Sequence, residues 1–199
     1  MTYPARIVVL LSGNGGNLQA ILDACADGII PATVVAVISD KPDAYGLMRA
    51  AKASIPTTVV VKAQAPDRRT YDALLAGYVG SYRPDYVVLA GWMRILTSAF
   101  LDRFPGRVIN LHPALPGTFP GTHAIERAYK AWQDHEIDRS GVMVHLVPDE
   151  GVDSGPVLAA QEILFAPNET LEQFEQRVHE LEHSLLVAVL RKMIVGAGM

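Results

Sequence analysis

Apolar runs rich in β-branched residues recur at Arg6–Leu11, Thr33–Ser39, Thr57–Val61, Tyr86–Ala90 and Val108–His112, and helical patterns separate most of them. Between the third and fourth runs, Tyr71, Leu74, Leu75, Tyr78, Val79 and Tyr82 fall at helical spacing, which predicts a crossover helix with one face on a sheet. Nearly continuous apolar strands joined by such helices predict a largely parallel sheet covered on both faces, because parallel pairing needs long right-handed crossovers. The predicted class is α/β, a single doubly wound, mostly parallel sheet.

The rhythm changes after His112. A loop rich in Pro and Gly (Pro113–Gly121) leads to a helix near Ala124–Trp132 and strands near Gly141–Val147 and Val157–Ile163. These last strands suit an antiparallel element near the C-terminal end. Thr170 and Gln173 form a T-x-x-Q capping box ahead of a long helix striped by Leu171, Phe174, Val178, Leu181 and Leu185. Only the tail after Val195 reads as loose, and no repeat or composition shift marks a linker, so residues 1–199 are expected to form one domain.

Charge and cysteine content narrow the function classes. The balance of 17 basic against 21 acidic residues gives a net charge of −4 with no arginine-rich run, which argues against nucleic acid as a partner. A single cysteine, Cys25, cannot form an internal disulfide, and no secretory leader pattern precedes Arg6, so a reducing, cytoplasmic setting is expected. Cys25 sits on the apolar side of the first helix and reads as a buried structural thiol. The apolar stretches are strand-sized, well below the roughly 20 residues that span a bilayer. No membrane partner is expected.

Three constellations could carry chemistry. Ser12-Gly13-Asn14-Gly15-Gly16-Asn17 follows the first strand and runs into a helix, where glycines allow close backbone approach and free N–H groups attract an anion. Leu18 stands where a dinucleotide fingerprint needs glycine, and a P-loop lysine is absent. A monophosphate site and a bare tight turn both fit. At the carboxyl end of the fifth strand, Asn110 and His112 share one face at i and i+2. Ligands collect at such strand ends in open α/β sheets, and an amide donor beside an imidazole suits acyl transfer. A hydrogen-bonded strand terminus fits equally well. The third constellation, Asp149-Glu150-Gly151-Val152-Asp153, is either a solvated acidic turn or the source of a carboxylate, Asp153, that would raise the pKa of His112. His123, His135, His145, His179 and His183 share no metal-ligand spacing, each reads as a surface or core histidine, and no metal is expected. Gly91-Trp92-Met93-Arg94-Ile95-Leu96 could line a slot for a flat heterocycle or belong to the core.

Taken together, Ser12–Leu18, Leu89–Leu96, Asn110-Leu111-His112-Pro113 and Asp153-Ser154-Gly155 closely resemble the folate-dependent phosphoribosylglycinamide formyltransferase family, in the same order from about Arg6 to about Leu186. The resemblance implies a Rossmann-like formyltransferase domain that passes formyl from 10-formyltetrahydrofolate, a co-substrate, to the amine of 5-phosphoribosylglycinamide in purine biosynthesis, without a covalent enzyme adduct. It implies that Asn110 and His112 stabilise the oxyanion and that Asp153 keeps the histidine protonated. Gly15, Gly16, Asn17 and Glu182 match positions that hold the ribonucleotide. Arg68, Met93, Arg94, Ile95, Leu96, Asn110 and the loop Asp149, Glu150, Gly151, Val152 and Asp153 match folate-site positions. The family is also compatible with a homodimer.

The sequence departs from the family pattern at Gly16, where many relatives carry serine, in the loop after His112, and in a 149–153 loop one residue longer than in some relatives. Another 10-formyltetrahydrofolate-dependent formyltransferase or deformylase is the alternative reading. Those relatives carry an additional domain, for which the span from Arg6 to Val195 is expected to leave no room.

Overall fold

In a computed structural model, residues 4–196 are described. The seven predicted strands are all present: β1 (Ala5–Leu11), β2 (Ala32–Ser39), β3 (Thr57–Val59), β4 (Tyr86–Leu89), β5 (Val108–His112), β6 (Arg139–Leu146) and β7 (Val157–Leu164). They form one sheet of order β3-β2-β1-β4-β5-β6-β7, with β1 to β5 parallel and β6 and β7 antiparallel. The sheet grows outward in opposite directions from β1 and β4, which makes their carboxyl ends the crevice where this topology collects ligands.

Alternation along the strands divides the core. Ile7, Val9 and Leu11 of β1 face a cluster covered by α1 (Gly16–Ala26), α2 (Tyr45–Lys52), α5 (Ala124–Gln133) and α6 (Leu171–Gly196). Val8 and Leu10 face a second cluster covered by α3 (Arg68–Ser81) and the short α4 (Ser98–Leu101). Phe174 of α6 is fully buried among Tyr129 and Phe165, so truncating it to alanine should cost about 3–5 kcal/mol.

Local chemistry sets the helix starts. The capping box forms as predicted: Gln173 N–H donates to Thr170 Oγ1 at 3.3 Å and Thr170 N–H donates to Gln173 Oε1 at 2.9 Å. Asp67 caps α3 by accepting Thr70 N–H at 2.8 Å, so that helix begins three residues before the predicted stripe. The stripe itself needs correction. Tyr71, Leu75 and Val79 are buried, whereas Leu74 and Tyr78 point outward; Asp72 and Ala76 take their place on the inner face. Cys25 is half-buried rather than fully buried, with desolvation pushing its thiol pKa up. At the carboxyl end, α6 continues through Gly196, one residue past the predicted loosening; the rest of that tail lies outside the described residues.

Candidate active site

Three segments meet at the carboxyl ends of the central strands. The first is the turn after β1, where Gly15 adopts φ 77 and an added Cβ would come within 2.7 Å of the Gly46 backbone. Only glycine fits that conformation and that approach. The amides of Gly16, Asn17 and Leu18 open α1 and lack partners within the helix, and Asn17 Oδ1 is buried with no hydrogen-bond partner among the described residues. On α6, which packs against α1, Glu182 is 5% exposed and faces His179 Nδ1 at 2.7 Å. That hydrogen bond, more than any other influence, raises the His179 pKa. The next residue, His183, comes to 3.1 Å of where a Cβ on Gly16 would stand, so glycine there makes room for the imidazole. Burial lowers the His183 pKa.

The second segment follows β4. Met93 N–H donates to Ser12 Oγ at 3.0 Å, Ser12 N–H donates to Gly91 O at 2.9 Å, and Thr97 N–H donates to the buried Asp72 carboxylate at 2.6 Å. The loop is thus tied at both ends. Met93 and Ile95 are 60% and 45% exposed, Arg94 lies over the Tyr71 ring at 4.6 Å, and Leu96 is core. Burial pushes the Tyr71 phenol up to about 12. Arg68 sits at the outer edge, 3.5 Å from Glu150, whose other oxygen accepts Ser98 N–H at 3.1 Å. Asp149, Glu150, Gly151 and Val152 are all exposed around this rim.

The third segment is the centre. Asn110 and His112 project from one face of β5, and Ile109 and Leu111 pack in the opposite core, as the i, i+2 spacing predicts. Asp153, at φ 50, brings its carboxylate between them. Its Oδ1 accepts an Asn110 Nδ2 hydrogen at 3.1 Å, and its Oδ2 lies 3.3 Å from His112 Nδ1 and accepts Gly121 N–H at 2.8 Å. The remaining imidazole nitrogen, His112 Nε2, is 3.1 Å from Phe119 O. A carbonyl only accepts, so Nε2 carries a hydrogen. Arg127 Nη2 donates to the same carbonyl at 2.7 Å and to Pro120 O at 2.6 Å, fixing the loop against the site.

Protonation follows from this burial. His112 is 4% exposed, and desolvation lowers its pKa; Asp153 and the Phe119 carbonyl pull the other way and lose. The expected upward pull of Asp153 is therefore present, but the net shift is downward. Burial opposes ionisation of Asp153 most strongly, yet the approach of His145 at 3.5 Å, the Gly121 N–H and the imidazole charges together leave its pKa below the ordinary value.

One histidine read from the sequence as surface or core is a core residue that also belongs to the centre. His145 is 1% exposed and pairs directly across from Asn110 in the β5–β6 register. Its Nε2 is 3.1 Å from Asn110 Nδ2 and 3.5 Å from Asp153 Oδ1. The signal available was a lone polar residue in the apolar run Val142–Leu146, but the register that puts it opposite Asn110 is a tertiary fact. Among the described residues no group of three or more His, Cys, Asp or Glu is placed to hold a metal ion, and no helix is long and apolar enough to cross a membrane. A surface cavity of about 710 Å³ lined by Tyr129, Trp132, His135 and Glu169 contains none of these groups. The convergence of polar side chains, not cavity volume, locates the site.

Residues 5–190 match the formyl transferase family model. The chain is 46% identical to phosphoribosylglycinamide formyltransferase of Dictyostelium discoideum, over 96% of this chain and 98% of the relative. It is 41% identical to the Escherichia coli protein of the same name, over 93% and 85%. The crystal structure of glycinamide ribonucleotide transformylase 1 from Symbiobacterium toebii superposes with a TM-score of 0.92 at 39% identity, covering 98% of this chain and 90% of that one. By sequence and by fold, the chain belongs to the formyl transferase family.

Proposed function

We propose that this protein is a phosphoribosylglycinamide formyltransferase of purine biosynthesis, moving the formyl group of 10-formyltetrahydrofolate to the amine of 5-phosphoribosylglycinamide. Family membership at 38–46% identity to proteins of that name supports the activity. The observation that carries the mechanism is the convergence of Asn110, His112 and Asp153 at the end of β5. When the amine adds to the formyl carbon, the carbonyl oxygen gains negative charge, and stabilising it needs donors aimed at one point in a site sheltered from water. Asn110 Nδ2 and His112 Nε2 are the donors proposed here. Phe119 O already sits in the acceptor position of His112 Nε2, so the loop carrying it must yield that place to a substrate oxygen. Collapse of the tetrahedral species breaks the bond to folate N10, which takes up a proton as the amine gives one up. Asp153, beside His112 Nδ1, favours the charged imidazole and so strengthens its donor.

In the same reading, one domain carries both substrate sites. Gly15, Gly16 and Asn17 hold the nucleotide phosphate at the start of α1, and Glu182 contacts its glycinamide ribose portion. Arg68, the 93–96 loop and the 149–153 loop form the folate slot, whose exposed Met93, Ile95 and Val152 suit a flat heterocycle. Leu96 is 2% exposed, so its part there is to anchor the loop in the core beneath the slot. A reducing, cytoplasmic setting accords with the free Cys25. The test mixes purified protein with both substrates and follows tetrahydrofolate and formylated nucleotide. Stoichiometric appearance of both is expected; no turnover would contradict the reading.

A further inference from the structure

Hydrogen counting at Asn110 exposes a feature that the three-residue centre leaves unexplained. The side-chain amide has only two N–H groups. One donates to Asp153 Oδ1 at 3.1 Å, and the other points to His145 Nε2 at 3.1 Å. The orientation is forced, because the reversed amide would set its oxygen against the Asp153 carboxylate. His145 is fixed just as firmly. Its Nδ1 is 2.8 Å from Leu146 O, so Nδ1 carries a hydrogen, and Nε2 of the neutral ring is an acceptor. With His145 neutral, both Asn110 donors are occupied and none remains for a substrate oxygen.

We infer that His145 is a positioning residue that decides whether Asn110 has a hydrogen to offer, by switching its Nε2 between acceptor and donor. In the neutral state Nε2 holds the second Asn110 N–H. A proton on Nε2 turns it into a donor toward Asp153 Oδ1, 3.5 Å away, and releases that Asn110 hydrogen toward the reacting carbonyl. The construction of the strand pair supports this role. The register sets His145 directly opposite Asn110, and an irregularity between Val144 and His145 in the β6–β7 pairing, which sets His145 against Val157, re-aims the strand at this point. Among the described residues, the ionisable groups facing His145 are Asp153 from the 148–156 loop and His112 from β5; Val157 on β7 is apolar. The two imidazoles share one carboxylate, with His112 Nδ1 3.3 Å from Oδ2 and His145 Nε2 3.5 Å from Oδ1.

The inference rests on the formyl-transfer reading for its catalytic consequence, but the switch itself can be observed without substrate. In uniformly ¹⁵N-labelled protein, the Asn110 amide resonances should move together with titration of the His145 ring, and that movement should vanish in His145→Gln. Glutamine can accept the Asn110 hydrogen but cannot take up a proton. His145→Gln should therefore bind both substrates with Kd within about twofold of wild type, while the single-turnover rate falls about tenfold or more and loses its dependence on that titration. A His145 ring that does not titrate between pH 5 and 9, Asn110 resonances indifferent to it, or a His145→Gln rate within about twofold of wild type would each overturn the switch. Failure of the wild-type protein to turn over would instead overturn the substrate assignment, with the amide titration still readable.

Discussion

Glu150 and Asp153 lie three residues apart on one acidic loop, yet they sit in different physical worlds. The Glu150 side chain is 49% exposed and meets a similarly exposed Arg68 at 3.5 Å. Asp153 is 11% exposed and lies among Asn110, His112, His145 and the Gly121 amide. At the rim, water competes for each charge and the pair is worth at most about 1 kcal/mol. At the centre, removing one partner strands the others in a dry environment, where a buried group left unsatisfied costs about 1–3 kcal/mol and more if charged. One loop thus combines an adjustable outer limb with a tightly bound inner one.

Deleting the inner groups puts this contrast under the greatest strain. His112→Ala should lower kcat by roughly 10² or more, because the proposed oxyanion donor is lost. Steady-state kinetics checks this, and a near-normal kcat would remove His112 from the chemistry. Asp153→Asn should also displace the pH–rate profile. The carboxylate is what raises the His112 pKa against burial, so its loss should move the histidine limb further toward acid; an unmoved limb would leave Asp153 without its electrostatic role.

Smaller changes probe the contrast more finely. Gly15→Ala forces a Cβ against Gly46 at positive φ and should cost about 1–3 kcal/mol of stability in denaturant unfolding, together with weaker nucleotide binding. Gly16→Ser needs only a small shift of His183, so its effect on nucleotide Kd should be a few-fold at most. Glu150→Gln should change folate KM by about twofold or less and stability by under about 1 kcal/mol, with any effect fading as salt rises. A large Glu150 effect would show that the outer limb is held as firmly in place by its partners as the inner one.

Stability should carry a pH signature as well. The folded His112 pKa lies below its ordinary value, so the folded state disfavours the proton. This contribution is full above the unfolded histidine pKa and is lost as pH falls through the folded one. His179 runs the opposite way. Its raised pKa gives a contribution present below the unfolded value and lost as pH rises through the folded one. Unfolding of His112→Ala and His179→Ala across pH separates the two.

What the sequence made legible follows interaction range. Apolar runs marked the seven strands to within two residues at their ends, and the Thr170–Gln173 capping box marked the start of α6, because each depends on neighbours in the chain. The shared face of Asn110 and His112 was legible for the same reason: period-two geometry is local. Asp153 reached them only through family resemblance, since its approach depends on a loop folding back over β5 with positive φ. The place of His145 in the centre was not legible, because nothing within its own strand identifies the residue opposite. Nor was the net direction of the His112 pKa, since a carboxylate neighbour can be read from a motif but the depth of burial cannot.

In the proposed mechanism the buried limb of the acidic loop acts in the chemistry and not merely in binding. The decisive measurement is the single-turnover formyl-transfer rate of Asp153→Asn, with Kd for both substrates determined on the same protein. A rate reduced by roughly 10² or more, with both Kd values within about twofold of wild type, is the predicted result. A rate within about threefold of wild type, or a loss accounted for entirely by weaker binding, would contradict it.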